Sequence, residues 1–161
     1  MKKRLFAGLL CVMVVLLAGC VDKEAQEAVK NYTDTASPVL MEQEQKMLAS
    51  FSSVIGTNYT DDSTLCLELV QNTIPMATSL KSTAEGITET ITLEELSEAH
   101  ALYVSYVSEF EEALRMLLTA VDEQDETISA AANEKLGNAD RIGKEYRTRL
   151  EEIKKVYKLV E

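Results

Sequence analysis

Leu93, Leu96, His100, Tyr103, Val107, Phe110, Leu114, Leu117 and Val121 recur at alternating steps of three and four. That is the a/d spacing of a heptad, and it lays one stripe of side chains along one face of a helix. A strand needs a period of two, so this stretch excludes one, and its apolar face must be buried against other helices. Glu94, Glu95, Glu98, Glu109, Glu111 and Glu112 fall off the stripe, as expected of a solvated face. The spacing predicts a helix over 93–122, opened by Thr92-Leu93-Glu94-Glu95 as a capping box.

Three further segments carry weaker forms of the pattern. One helix is expected over 38–55, with Ser37 as cap, Pro38 in the first turn, and Leu40, Met47, Leu48, Phe51, Val54 and Ile55 on its apolar side. A second follows Asp61 or Asp62 as cap and carries Leu65, Leu69, Val70, Met76, Ala77, Leu80 and Ala84. It ends near Gly86 and is kinked at Pro75. The last runs over 126–160 from an Asp125 cap. Its Gly137 and Gly143 each cost about 0.8–1 kcal/mol relative to Ala, and mark a bend or a close helix crossing. Upstream of Ser37, Val21, Ala25, Ala28 and Tyr32 keep a thin helical spacing. Four helices with short connections imply an all-α fold, an antiparallel up-down four-helix bundle with coiled-coil-like heptad packing over 38–161. At 161 residues the chain has room for one such domain.

The beginning of the chain has a different character. Lys2, Lys3 and Arg4 precede an uncharged run of 15 residues from Leu5 to Gly19, short of the roughly 20 that a spanning helix needs. A basic start, an apolar run and small residues before a polar stretch make a secretory signal. Its ending, Leu17-Ala18-Gly19-Cys20, resembles the lipobox of bacterial lipoproteins. The resemblance covers this leader alone. It implies a signal peptide over 1–19 cleeved before Cys20, a diacylglyceryl thioether on Cys20, and acylation of the new N-terminus. Several acyl chains make a durable anchor where one is marginal. Residues 20–37 are then a lipid-anchored tether or an N-terminal helical extension. The protein is expected outside the cytoplasm, lipid-anchored to the outer face of the bacterial cell membrane. In a host with two membranes it stands there or on the periplasmic side of the outer one.

Charge narrows the partners. The formal net charge of -11 becomes -14 once the signal, with three basic and no acidic residues, is removed. Nucleic acid, whose phosphates need Lys and Arg, is excluded. Residues 20–134 hold 5 basic and 22 acidic side chains, residues 135–161 hold 8 and 5. A basic last helix beside acidic neighbours relieves repulsion within the bundle. Lys154, Lys155 and Lys158 are read as part of that solvated face.

Little catalytic material is present. One His cannot supply the two Glu-x-x-His motifs of a di-iron bundle, and Glu98-Ala99-His100 has the wrong spacing. No Cys-x-x-Cys-His and no Gly-x-Ser-x-Gly occurs. No metal and no cofactor is therefore expected, and no catalysis. Cys66, the one thiol left in the mature chain, is expected to be buried. The expected role is a non-catalytic one in the cell envelope, structural or through an envelope protein partner. The alternative is a small-ligand-binding or sensing bundle, with a site at His100 and Tyr103 on the core stripe and Tyr146 on the last helix. In such a fold these groups either satisfy one another or face a ligand.

Overall fold

A computed structural model describes residues 22–159 of the protein. The lipobox and Cys20 lie outside the described residues. Within them all regular structure is helical, in four long helices that pack against one another. Helix α1 covers 23–52, α2 covers 62–88, α3 is Glu94–Glu123 and α4 is Glu126–Val156. None of the described helices is long and apolar enough to cross a membrane.

Two prolines explain the shape of α1 and α2. Proline has no N–H to give and its ring crowds the carbonyl four residues back. In each helix the problem is met by one wide turn just upstream, Tyr32–Ala36 before Pro38 and Leu69–Thr73 before Pro75. The Ser37 and Ile74 amides there reach back five residues, to the Tyr32 and Leu69 carbonyls. Such a turn takes in one extra residue and so re-phases the buried face by about 100°. The buried positions of α1 accordingly run Ala25, Val29, Tyr32, then jump five to Ser37, before Leu40, Met47 and Phe51.

This corrects two readings of the sequence. Ser37 is not a cap: it is helical and buried, and α1 continues upstream to Lys23, where Asp22 caps it through the Glu24 amide. Val70 and Met76, placed on the apolar side of α2, face solvent; the extra residue of the wide turn moves Met76 off the face of Leu65 and Leu69, and Ile74 and Ala77 take the core positions instead.

Helix α2 begins at Asp61, whose carboxylate accepts from the Thr64 amide at 2.9 Å. The capping box expected at Thr92 does not form. Leu93 is the extended residue before α3 and no side chain caps it, while Glu94 and Glu95 in the first turn complement the helix dipole. Between α3 and α4 lie only Gln124, in the left-handed region at φ 52°, and Asp125. The Asp125 carboxylate accepts from the Thr127 and Ile128 amides at 2.7 and 3.2 Å. So tight a link makes α3 and α4 the closest pair.

That pairing rests on small residues. Ala132, Ala139 and Gly143 line the buried side of α4, and a Cβ on Gly143 would stand 3.2 Å from Tyr106 Cδ2. Helix α4 is unbroken at Gly137, which has open space around it. Charges join the same two helices. Lys135 reaches Glu112 at 2.7 Å and Glu109 at 3.2 Å, Asn138 donates to Glu109, and Arg149 approaches Glu98. Glu111 is the exception to the solvated acidic face. It is buried against α2, where Thr78 donates to it at 2.8 Å and Arg115 at 2.7 Å, with Lys81 3.6 Å away. Burial works to raise its pKa, but these partners outweigh burial and hold it below the usual carboxylate range.

The main core runs through all four helices, with Leu40, Met47, Leu69, Leu80, Leu114 and Tyr103 among its most enclosed side chains. A smaller cluster of Val29, Ala99 and Ile153 closes one end. There the Gln26 amide donates to the Tyr157 carbonyl at 2.8 Å, tying the start of α1 to the end of α4.

Candidate functional site: a buried hydroxyl chain and the cleft above it

The three residues singled out on the sequence do come together. His100 is fully enclosed, and its ring lies 6.3 Å from that of Tyr103, which in turn lies 4.9 Å from that of Tyr146. A fourth aromatic joins them. Tyr32, one turn after the buried Val29 on the same face of α1, meets His100 edge-on at 5.6 Å.

The hydrogen-bond directions follow from one acceptor that has no choice. The Ala84 carbonyl of α2 only accepts, so His100 Nε2 donates to it, at 2.8 Å. Nδ1 is then left with a lone pair and accepts from the Tyr32 hydroxyl at 2.9 Å. The Tyr32 oxygen accepts in turn from Tyr146, at 3.0 Å. One helix contributes to each link: α4 to α1, α1 to α3, α3 to α2. Burial lowers the His100 pKa, against a smaller opposing pull from the Ala84 carbonyl. Burial pushes the phenols of Tyr32, Tyr103, Tyr106 and Tyr146 up. The chain is therefore neutral throughout at ordinary pH.

A carboxylate stands beside it. Glu44 of α1 accepts from the Tyr103 hydroxyl at 3.1 Å and from the Tyr106 hydroxyl at 3.0 Å. The Arg147 guanidinium is 3.8 Å from Glu44, too far for a hydrogen bond. Where α1 and α4 diverge above these groups, a cleft of about 490 Å³ opens. Ser37, Leu40, Glu44, Tyr103, Tyr146 and Leu150 are among the residues that line it.

The three predicted residues thus divide. Tyr103 and Tyr146 face the cleft, whereas His100 stands behind them with both nitrogens engaged in the core. Sequence reasoning missed Tyr32, Glu44, Tyr106, Ser37 and Arg147 as members of the site. Tyr32 was visible as part of the thin helical spacing before Pro38, and Tyr106 stands one turn after Tyr103. Glu44 resembles any solvated helix carboxylate and gives no signal. Tyr157, the residue just past the end of α4, lies apart: its hydroxyl donates to Glu95, which pushes its pKa up to about 12. Cys66 is half-buried, and burial, with Asp62 and Asp122 nearby, pushes its thiol up.

Comparison with known protein families, with curated proteins and with solved structures finds no match for this chain.

Proposed function

We propose that the chain is an exported lipoprotein, held to its membrane by acyl chains on Cys20, whose helical domain works by noncovalent binding. The observation that carries the anchor is Leu17-Ala18-Gly19-Cys20, which closes a 15-residue uncharged run that follows a basic start. The domain then stands on the outer face of the bacterial cell membrane, or on the periplasmic side of an outer membrane, where an envelope component is its partner.

The non-catalytic reading is supported by the state of the two residues best suited to chemistry. His100 has no nitrogen left to act as a base toward solvent, and the Cys66 thiol is held away from the nucleophilic thiolate. For the architecture we favour an antiparallel up-down bundle with heptad packing. Supporting it, partner numbers on α4 fall as those on α3 rise: Glu95 with Tyr157, Glu98 with Arg149, Glu109 with Asn138, Glu112 with Lys135.

A second reading, a small-ligand-binding bundle, is favoured by the cleft over Tyr103 and Tyr146. A cavity of several hundred Å³ with apolar walls and a few polar groups is the usual form of a small-molecule site.

The anchor is tested by feeding cells a labelled fatty-acid analogue and comparing the natural chain with Cys20→Ser. Label is expected on the first and absent from the second. Equal labelling of both overturns the proposal.

A further inference from the structure

Three hydroxyl hydrogens at the cleft floor are already spent. Tyr146 gives its hydrogen inward to Tyr32, Tyr103 gives its own to Glu44, and Thr33 donates to the Val29 carbonyl at 2.8 Å. What these groups have left is lone pairs, together with the negative charge of Glu44. A floor of acceptors recognises a ligand that brings donors.

We propose that the cleft between α1 and α4 binds an organic cation, a primary ammonium on a small apolar body. The inference rests on the reading of this cleft as a ligand site. The ammonium is placed on the Glu44 carboxylate, with the phenol oxygens of the floor as neighbouring acceptors. The body lies against Leu40, Leu150 and the ring of Tyr103.

The basic groups at the rim are consistent with this. Lys154 is engaged by Glu151 at 2.6 Å. Arg147 is exposed and, at 3.8 Å from Glu44 without a hydrogen bond, stands where the ligand's ammonium would compete with it. The acidic excess of the whole chain also steers cations toward the molecule.

The test is calorimetric titration of the full chain, in a nonionic detergent, with 2-phenylethylammonium and hexylammonium against 3-phenylpropanoate and heptanoate. At least one amine is expected to bind, and its matched acid to bind at least about tenfold more weakly, as like charge at Glu44 demands. Glu44→Gln is expected to weaken the amine by about tenfold or more, the loss of a charge-assisted contact. That variant also replaces one of the two carboxylate oxygens that accept from the phenols by an NH2 donor, so Arg147→Met, at an exposed position, gives an independent readout. It is expected to strengthen amine binding, because a competitor for Glu44 is gone. Tighter binding of the acids, equal binding of both classes, or weaker amine binding in Arg147→Met overturns the cation proposal and leaves the cleft a ligand site. Binding of none of the four overturns the cleft reading itself.

Discussion

His100 is the one histidine in the chain, and it is enclosed where a charge is costly. The groups that face it are Tyr32 from α1, Tyr103 on its own helix and the Ala84 carbonyl from α2, with Tyr146 one link further. No carboxylate is among them, and the Ala84 carbonyl offsets only part of the burial that lowers its pKa. In the unfolded chain it takes a proton near pH 6.5. Below that pH the unfolded state binds more protons than the folded one, so the stability from this residue is whole above it and falls as pH drops. The carboxylates held low, Glu42, Asp61, Glu109, Glu111 and Asp125, act in the same sense, but only within the carboxylate range. Urea unfolding midpoints are therefore expected to fall between about pH 7 and about pH 5.5, an interval in which histidine alone titrates. In His100→Gln the midpoint is lower throughout and that fall is lost.

At the scale of a helix, the two glycines of α4 separate what propensity favours from what packing permits. Gly137 has open space around it, and Gly137→Ala is expected to gain about 0.8 kcal/mol from helix propensity alone. At Gly143 the new methyl would press on the Tyr106 ring, which is buried and tied by its hydroxyl to Glu44. Overpacking of about 1–3 kcal/mol outweighs the propensity gain there, so Gly143→Ala is expected to lose about 1 kcal/mol. Thermal unfolding should move up for the first variant and down for the second, by about 2–4 °C per kcal/mol. The sequence shows two glycines in one helical pattern and does not distinguish them. Their difference lies in what stands opposite, and that is a property of the α3–α4 crossing.

For the whole molecule, four of the six tyrosines are in the core, one on α1, two on α3 and one on α4. Burial raises each of their pKa values above the ordinary 10. The unfolded chain releases these protons above pH 10 while the folded one retains them, so stability is present below that pH and lost as it rises. Phenolate absorbance is expected in two stages. Tyr59 and Tyr157 ionise from the folded protein, and the other four ionise together as far-UV dichroism collapses. Six independent titrations would show that the core opens locally. The same global arrangement brings the start of α1 and the end of α4 together at Gln26 and Tyr157. Under the proposed lipidation, that end of the bundle is the one next to the membrane.

Helix content, the Asp61 and Asp125 caps, the α3 stripe and the grouping of His100 with Tyr103 were all legible in the sequence, because each depends on residues within one or two turns of one another. Pro75 announced a kink, whereas Pro38 read as the first turn of a helix, and the step of five from Tyr32 to Ser37 shows only in which residues are buried. The rest depended on tertiary structure. A wide turn moves every downstream side chain around the helix by about 100°, and this decides that Ser37 enters the core while Met76 leaves it. The tautomer of His100 is set by a carbonyl 16 residues away, and Glu44 acquires its place from phenols some 60 residues distant. Those contacts form across helices, where the spacing of residues along the chain carries no record of them.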